Sequence, residues 1–158
     1  MVEANIDRAW ELMESVGFCM LATWTGTRLR SRPMGAFVRR DEGVIYSFTD
    51  VRAHKDEEVR KYSQVCLGFG DPGGQKYVSV SGTAEIVADR EKMAELWSIS
   101  PKLWWGSPED PNVRLIRVMP EEAEYWDTPG NIINSIKVGF ALVTGSDFKH
   151  GDHEKVPL

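Results

Sequence analysis

Gly68-Phe69-Gly70-Asp71-Pro72-Gly73-Gly74-Gln75-Lys76-Tyr77-Val78-Ser79-Val80 decides between two architectures. Its first six residues spell GxGxxG at the end of the strand-like run 65–69, the pattern of a dinucleotide-binding loop. Such a loop has to open a helix, because the helix's amino end meets the pyrophosphate. Here Pro72 and Gly74 lead instead into Tyr77, Val78 and Val80, residues that suit a strand. The stretch reads as a hairpin turn, which favours an antiparallel sheet over a parallel one.

Working outward, the neighbouring segments agree. Ala9, Leu12, Met13 and Val16 recur at helical spacing, so residues 7–15 are expected to form a helix, stopped by Gly17. Residues 18–24 read as a buried strand, Thr25-Gly26-Thr27 as a turn, and residues 28–38 as a second strand. Asp41-Glu42-Gly43 turns the chain into a strand at 44–48, and residues 53–62 suit a short surface helix anchored by Val59. Beyond the hairpin come a long strand at 77–87, a helix at 90–97 capped by Asp89, and a loop over 101–111. Strands at 113–118 and 123–126, a helix at 132–144 and a polar, mobile tail complete the chain. The expected fold is mainly β (α+β): one antiparallel barrel with short flanking helices over 1–145, followed by a polar C-terminal tail, 146–158.

With 158 residues, 42% of them hydrophobic and 27% charged, the chain has the balance of a single globule. A net charge of −5 argues against a general nucleic-acid binder. No apolar run is long enough to span a bilayer, and the opening residues lack a secretory pattern, so a cytoplasmic location is expected. Cys19 and Cys66 sit inside apolar runs, as buried free thiols do. Walker A, HExxH, CxxC and GxSxG patterns do not occur. His150-Gly151-Asp152-His153-Glu154 gathers metal-friendly side chains, but in the expected tail, where a metal would lack rigid ligands; no metal site is expected.

Two segments carry chemistry. In Arg28-Leu29-Arg30-Ser31-Arg32-Pro33-Met34 the three arginines point the same way along a strand. Either they form a solvated edge strand, or they face an anionic ligand with planar donor forks. In Tyr46-Ser47-Phe48-Thr49-Asp50-Val51-Arg52-Ala53-His54-Lys55-Asp56, the nine residues from Ser47 to Lys55 hold two hydroxyls, an Arg, a His and a Lys, straddling a strand end and a helix start. That chemistry suits a phosphate, or else a solvated helix start.

These segments, with Ser79-Val80-Ser81-Gly82-Thr83-Ala84, Asp110-Pro111 and Glu124-Tyr125-Trp126-Asp127 in the same order, resemble the pyridoxamine 5′-phosphate oxidase-like FMN-binding split barrels. Within them the chain is most similar to the general stress protein 26 branch, over residues 3–145. The resemblance implies an antiparallel six-stranded split β-barrel that forms a homodimer with FMN at the subunit interface. It places Arg32 against the flavin, with Pro33 and Met34 beside the ring. Phe48 and Thr49 take the position of an aromatic–threonine pair touching the cofactor, and His54 and Lys55 that of its phosphate ligands. Trp126 matches a tryptophan bordering the flavin from the partner chain.

The departures bear on activity. Gly35-Ala36-Phe37 stand where the oxidase proper has a lysine. Trp97-Ser98-Ile99-Ser100 and Leu103-Trp104-Trp105 replace its substrate-phosphate residues, and Thr128-Pro129-Gly130-Asn131 its Arg-x-His segment. The expected function is an FMN-dependent oxidoreductase acting on a small substrate in a stress response, without pyridoxamine phosphate oxidation and with no catalytic residue assigned. The alternatives are a non-catalytic flavin-storing stress protein, or a split barrel holding a deazaflavin or haem.

Overall fold

A helix, α1 (Val2–Val16), opens the chain in the computed structural model, which describes residues 2–99, 107–127 and 152–158. Ala9, Trp10, Leu12 and Met13 form its buried stripe. Gly17 ends it at φ +70°, a left-handed conformation open to a residue without Cβ, and donates its N–H to the Met13 carbonyl at 3.1 Å. The chain continues through β1 (Phe18–Trp24), β2 (Leu29–Gly35), β3 (Phe37–Arg39) and β4 (Val44–Asp50). A 3-10 turn, Val51–Ala53, leads into α2 (Lys55–Lys61), then β5 (Gln64–Asp71), β6 (Lys76–Val87), α3 (Arg90–Trp97), β7 (Val113–Asp127) and β8 (Asp152–Pro157). Among the described residues no helix is long and apolar enough to cross a membrane.

The GxGxxG stretch is a hairpin turn: β5 and β6 pair antiparallel from Asp71 opposite Lys76 to Gln64 opposite Thr83. Strand order is β2-β1-β5-β6-β7-β4-β3, with β8 added along β7. The two end strands, β2 and β3, are consecutive in the chain and separated by Ala36 alone. The sheet must therefore curl until its edges meet, and the result is a split barrel. With β2 and β3 counted as one bent strand, the six expected strands are present; β8 is an addition. The bend is held by the Ala36 N–H on the Gly17 carbonyl at 2.9 Å, so an unbroken strand over 28–38 does not form.

A second correction concerns β7. The runs 113–118 and 123–126 are one strand of 15 residues, not two. Ser81 pairs with Glu122 and Gly82 with Pro120, leaving Glu121 as an extra residue, a β-bulge. One inserted residue swaps the faces of everything beyond it. Ile116 and Val118 enter the barrel core on even numbers, Ala123 and Tyr125 on odd ones. That change of phase makes one strand look like two in the sequence. Gly82 permits the bulge, since a β-carbon there would collide with the Met119 carbonyl oxygen.

The polar tail expected from 146 is also revised. Residues 152–157 form β8, with Val156 buried in the core and the Leu158 N–H on the Glu121 carbonyl at 3.0 Å. One apolar anchor and a free edge of β7 suffice to dock a strand that is otherwise polar. The helix expected at 132–144 and the boundary at 145 lie outside the described residues.

Two cores result. The barrel interior packs Leu21, Val38, Ile45, Leu67, Val80 and Ile116 against α1. Outside the barrel, α3 covers β4 and β7 through Met93 and Leu96 on Val44, Tyr46 and Leu115. Both cysteines are free. Cys19 is buried, which pushes its thiol up to about 12, and Cys66 is half-buried.

Candidate functional site

Strand register places the arginine strand against α2. Arg30 on β2 lies opposite Thr23 on β1, and Arg32 opposite Leu21. Across this barrel end α2 supplies Glu58. Arg32 donates through both terminal nitrogens to the Glu58 carboxylate, at 3.0 and 3.1 Å, and the Thr23 hydroxyl donates to the same carboxylate at 2.9 Å. Arg30 stands 3.8 Å away. The bonds from Arg32 hold the Glu58 carboxyl below its usual range, assisted by Thr23 and the charge of Arg30. Arg30 and Arg32 thus share a face as expected, yet Arg32 is neither solvated nor free. Met34 is buried on that same inner face, whereas Pro33 is exposed on the outer one.

The cofactor segment begins at Thr49, which shares the inward face of Ile45 on β4. The Thr49 hydroxyl is buried with no hydrogen-bond partner, and so is Oδ1 of Asp56 in the first turn of α2. Asp50 caps the intervening turn, accepting from the Arg52 backbone N–H and from Arg52 Nε, both at 2.8 Å. His54 joins turn to helix at φ 59°, a left-handed conformation uncommon for a side-chain-bearing residue and frequent at ligand clamps. Its ring is exposed, 3.6 Å from Glu57. The Val51 N–H is tied to the Asn112 carbonyl at 2.9 Å. Arg90 in turn donates to the Pro108 and Asp110 carbonyls at 3.0 Å each, fixing the loop that carries Asn112.

Phe48 goes the other way. Its ring packs edge-on against Phe37 (5.6 Å) and Trp97 (5.4 Å) in the cluster under α3. Phe48 and Thr49 therefore offer side chains to opposite faces of β4. Trp126 is remote from both: Thr49 pairs with Arg114 on β7, and Trp126 lies twelve residues further along that strand, 114 to 126. At ~3.3 Å per residue this is at most about 40 Å along the strand, shortened by the bulge and by the curl of the sheet. The Trp126 indole is stacked on His153 of β8, centroids 4.9 Å apart and planes within 9°.

The structure thus gathers Arg32, Met34, Thr49 and the 50–55 turn at one barrel end, and sets Pro33, Phe48 and Trp126 on other faces. Thr23 and Glu58, which the structure joins to Arg32, were not singled out from the sequence, and His153 was read only within the tail's metal-friendly run. A signal existed for Glu58: three arginines on one face call for a carboxylate, and Glu57-Glu58 is the acidic pair on the adjoining helix. Among the described residues no group of three or more His, Cys, Asp or Glu could hold a metal ion.

Against this geometry, residues 4–149 match the family profile described as "Pyridoxamine 5′-phosphate oxidase like". The chain belongs to that family. Of its curated relatives, general stress protein 26 of Bacillus subtilis (strain 168) is 33% identical over 109 residues, covering 65% of this chain and 74% of the relative. A crystal structure of a general stress protein 26 from Jannaschia sp. CCS1 superposes over 100% of both chains, with a TM-score of 0.82 and 25% identity. The general stress FMN/FAD binding protein of Xanthomonas citri has a TM-score of 0.67 at 26% identity, covering 78% of this chain and 89% of that one. The split barrel and the family are thereby shown.

Proposed function

We propose that this family member binds FMN with its phosphate against residues 49–55 and uses it as an oxidoreductase on a small substrate. The carrying observation is the Thr49 hydroxyl, buried and without a partner at the segment's start. An unpaired buried polar group costs about 1–3 kcal/mol, a cost that a phosphate or ribityl oxygen would remove. The residues present fit the group. Lys55, whose side chain lies outside the described residues, and His54 are assigned to the phosphate. The Thr49 hydroxyl can donate to a neighbouring oxygen, and Asp56 can accept from a ribityl hydroxyl. Pro33, exposed on the outer face of β2, borders the ring, while Arg32 and Met34 support that strand from its inner face, Arg32 through Glu58. Phe48 backs Thr49 from the opposite face of β4. Bound FMN would supply the hydride or electron chemistry; the protein orients and shields it. The flavin named for the Xanthomonas citri relative supports the same reading.

The proposed site draws on two copies. The twelve-residue offset of Trp126 from the partner of Thr49 along β7 supports a cofactor bordered by Trp126 of a second chain. A fitting interface is at hand: Phe18, Met20 and Trp24 of β1, with Leu29 and Tyr77, are exposed large apolar groups on strands joined edge to edge. Apolar patches of this kind mark association sites, and two-fold pairing is the commonest solution.

The absorption spectrum of the protein as purified tests the cofactor: oxidised-flavin peaks support it, and a featureless or haem-like spectrum defeats it. Reoxidation of NAD(P)H or of a reduced dye by the loaded protein tests the activity. Bound flavin without turnover would favour the flavin-storing reading.

A further inference from the structure

The geometry points to His153, on the C-terminal strand β8, as the positioning residue that sets the plane of Trp126 for a planar aromatic ligand. The inference rests on the flavin reading above and deepens it, adding a residue to the ring-binding side of the site.

Register brings the two rings together: Trp126 of β7 pairs with His153 of β8, and on its other side with Tyr77 of β6. The imidazole lies parallel to the indole, 9° between planes and 4.9 Å between centroids, within the range of favourable aromatic pairs. His153 Nε2 is 2.6 Å from Glu124 Oε1; the carboxylate can only accept, so this nitrogen donates and the ring is pinned at a second point. The strand that carries it is itself anchored by buried Val156, by the Leu158 N–H on Glu121, and by Lys155 on Glu122 at 2.9 Å. Tyr77 folds over Gly70, where a β-carbon would come within 3.3 Å of the phenol ring. Three rings therefore stand side by side on the outward face of β6, β7 and β8.

An indole turns about a broad, soft torsion when nothing holds it. A stacked and pinned neighbour removes that freedom before any ligand arrives. A flavin ring docking against Trp126 from a partner chain then meets a wall already in place, so less ordering cost is set against binding. The effect acts on the ring and is indifferent to the phosphate.

The test compares His153→Ala, His153→Phe and the unaltered dimer. His153→Ala should weaken FMN and riboflavin alike, about three- to tenfold. His153→Phe, which keeps a ring on the indole but loses Glu124, should restore affinity to within about twofold. In ligand-free protein, His153→Ala should change tryptophan emission and near-ultraviolet dichroism, and the change should vanish in a Trp126→Phe background. Unchanged affinity in His153→Ala, a loss for FMN alone, or a loss that Phe does not rescue would each overturn the inference. If the unaltered protein binds no flavin, the cofactor reading fails separately. The ligand-free spectra then decide, and a signal that persists without Trp126 overturns the inference.

Discussion

Arg32 on β2 and Glu58 on α2 form a two-pronged ion pair, 3.0 and 3.1 Å, with only 14% and 15% of the side chains exposed. The pair bolts an edge strand to the helix that follows directly on the candidate phosphate segment. A fork of two parallel bonds fixes angle as well as distance, which a lysine at the same place would not do. Removing Arg32 strips the largely buried Glu58 carboxylate of its two-pronged partner and leaves it the Thr23 hydroxyl at 2.9 Å and Arg30 at 3.8 Å. Arg32→Ala should therefore cost about 1.5–3 kcal/mol, and Arg32→Ala with Glu58→Ala less than the two single losses together. Denaturant unfolding of the three variants measures this. The pair also has a pH signature. Glu58 is held below its ordinary range, so on acidification the unfolded chain takes up this proton first. Its contribution is complete above the ordinary value of about 4.3 and lost as pH falls through the lowered folded value. The stability gap between the unaltered protein and Glu58→Gln should be widest near neutrality and close in acid.

Lys55→Ala should weaken FMN binding by about 1.5–3 kcal/mol if one charge-assisted hydrogen bond to the phosphate is lost. Riboflavin, which lacks the phosphate, should bind nearly unchanged. Fluorescence titration with both ligands separates the outcomes, and equal losses would assign Lys55 a structural role.

Met20→Glu places a charge at the middle of the exposed apolar face, opposite Pro33 on one side and Gly68 on the other. A monomer would tolerate it, because Met20 is 45% exposed. Light scattering should give a monomer for the variant and a dimer for the unaltered chain, and FMN should be lost with the dimer. A variant that remains dimeric would move the interface elsewhere.

Gly82→Ala should destabilise the fold by about 2 kcal/mol or more, through overpacking against backbone that cannot move aside. The new β-carbon would meet the Met119 carbonyl and the Pro120 Cα, the latter at 3.1 Å. Thermal unfolding checks it; an unchanged midpoint would mean that the bulge can flatten.

Pyridoxamine phosphate should not be turned over. A second phosphate dianion needs donors beyond those on FMN. Where the oxidase proper carries a lysine this chain has Gly35-Ala36-Phe37, and Phe37 is packed against Phe48. Steady-state assays of FMN-loaded protein decide the matter, and rates near the enzyme median of about 10 per second would show that other residues have replaced the missing ones.

Features of the fold that depend on a few neighbouring residues were legible in the sequence. Gly17 stops α1, Asp89 caps α3 by accepting from the Lys92 N–H at 3.0 Å, and the turn after Asp71 closes a hairpin. Each is set by backbone sterics or one short-range hydrogen bond, so the residue types alone suffice. The family motifs were legible as well, and with them the barrel. The continuity of β7 was not, since the bulge at Glu121 breaks the alternation on which strand reading depends.

The chain's own order of residues thus determined most of the strands and turns, though neither β8 nor the continuity of β7, and singled out the stretches proposed for phosphate and flavin chemistry. Only the tertiary structure decided which side chains meet. Glu58 reaches Arg32 across 26 positions because α2 lies over the barrel end, and His153 reaches Trp126 because a polar strand docks on the open edge of β7. Phe48 and Thr49 are adjacent in sequence yet part to opposite faces, one under α3 and one inside the barrel. Such pairings depend on register, curl and face, quantities set by the closing of the whole sheet and carried by no local run of residues.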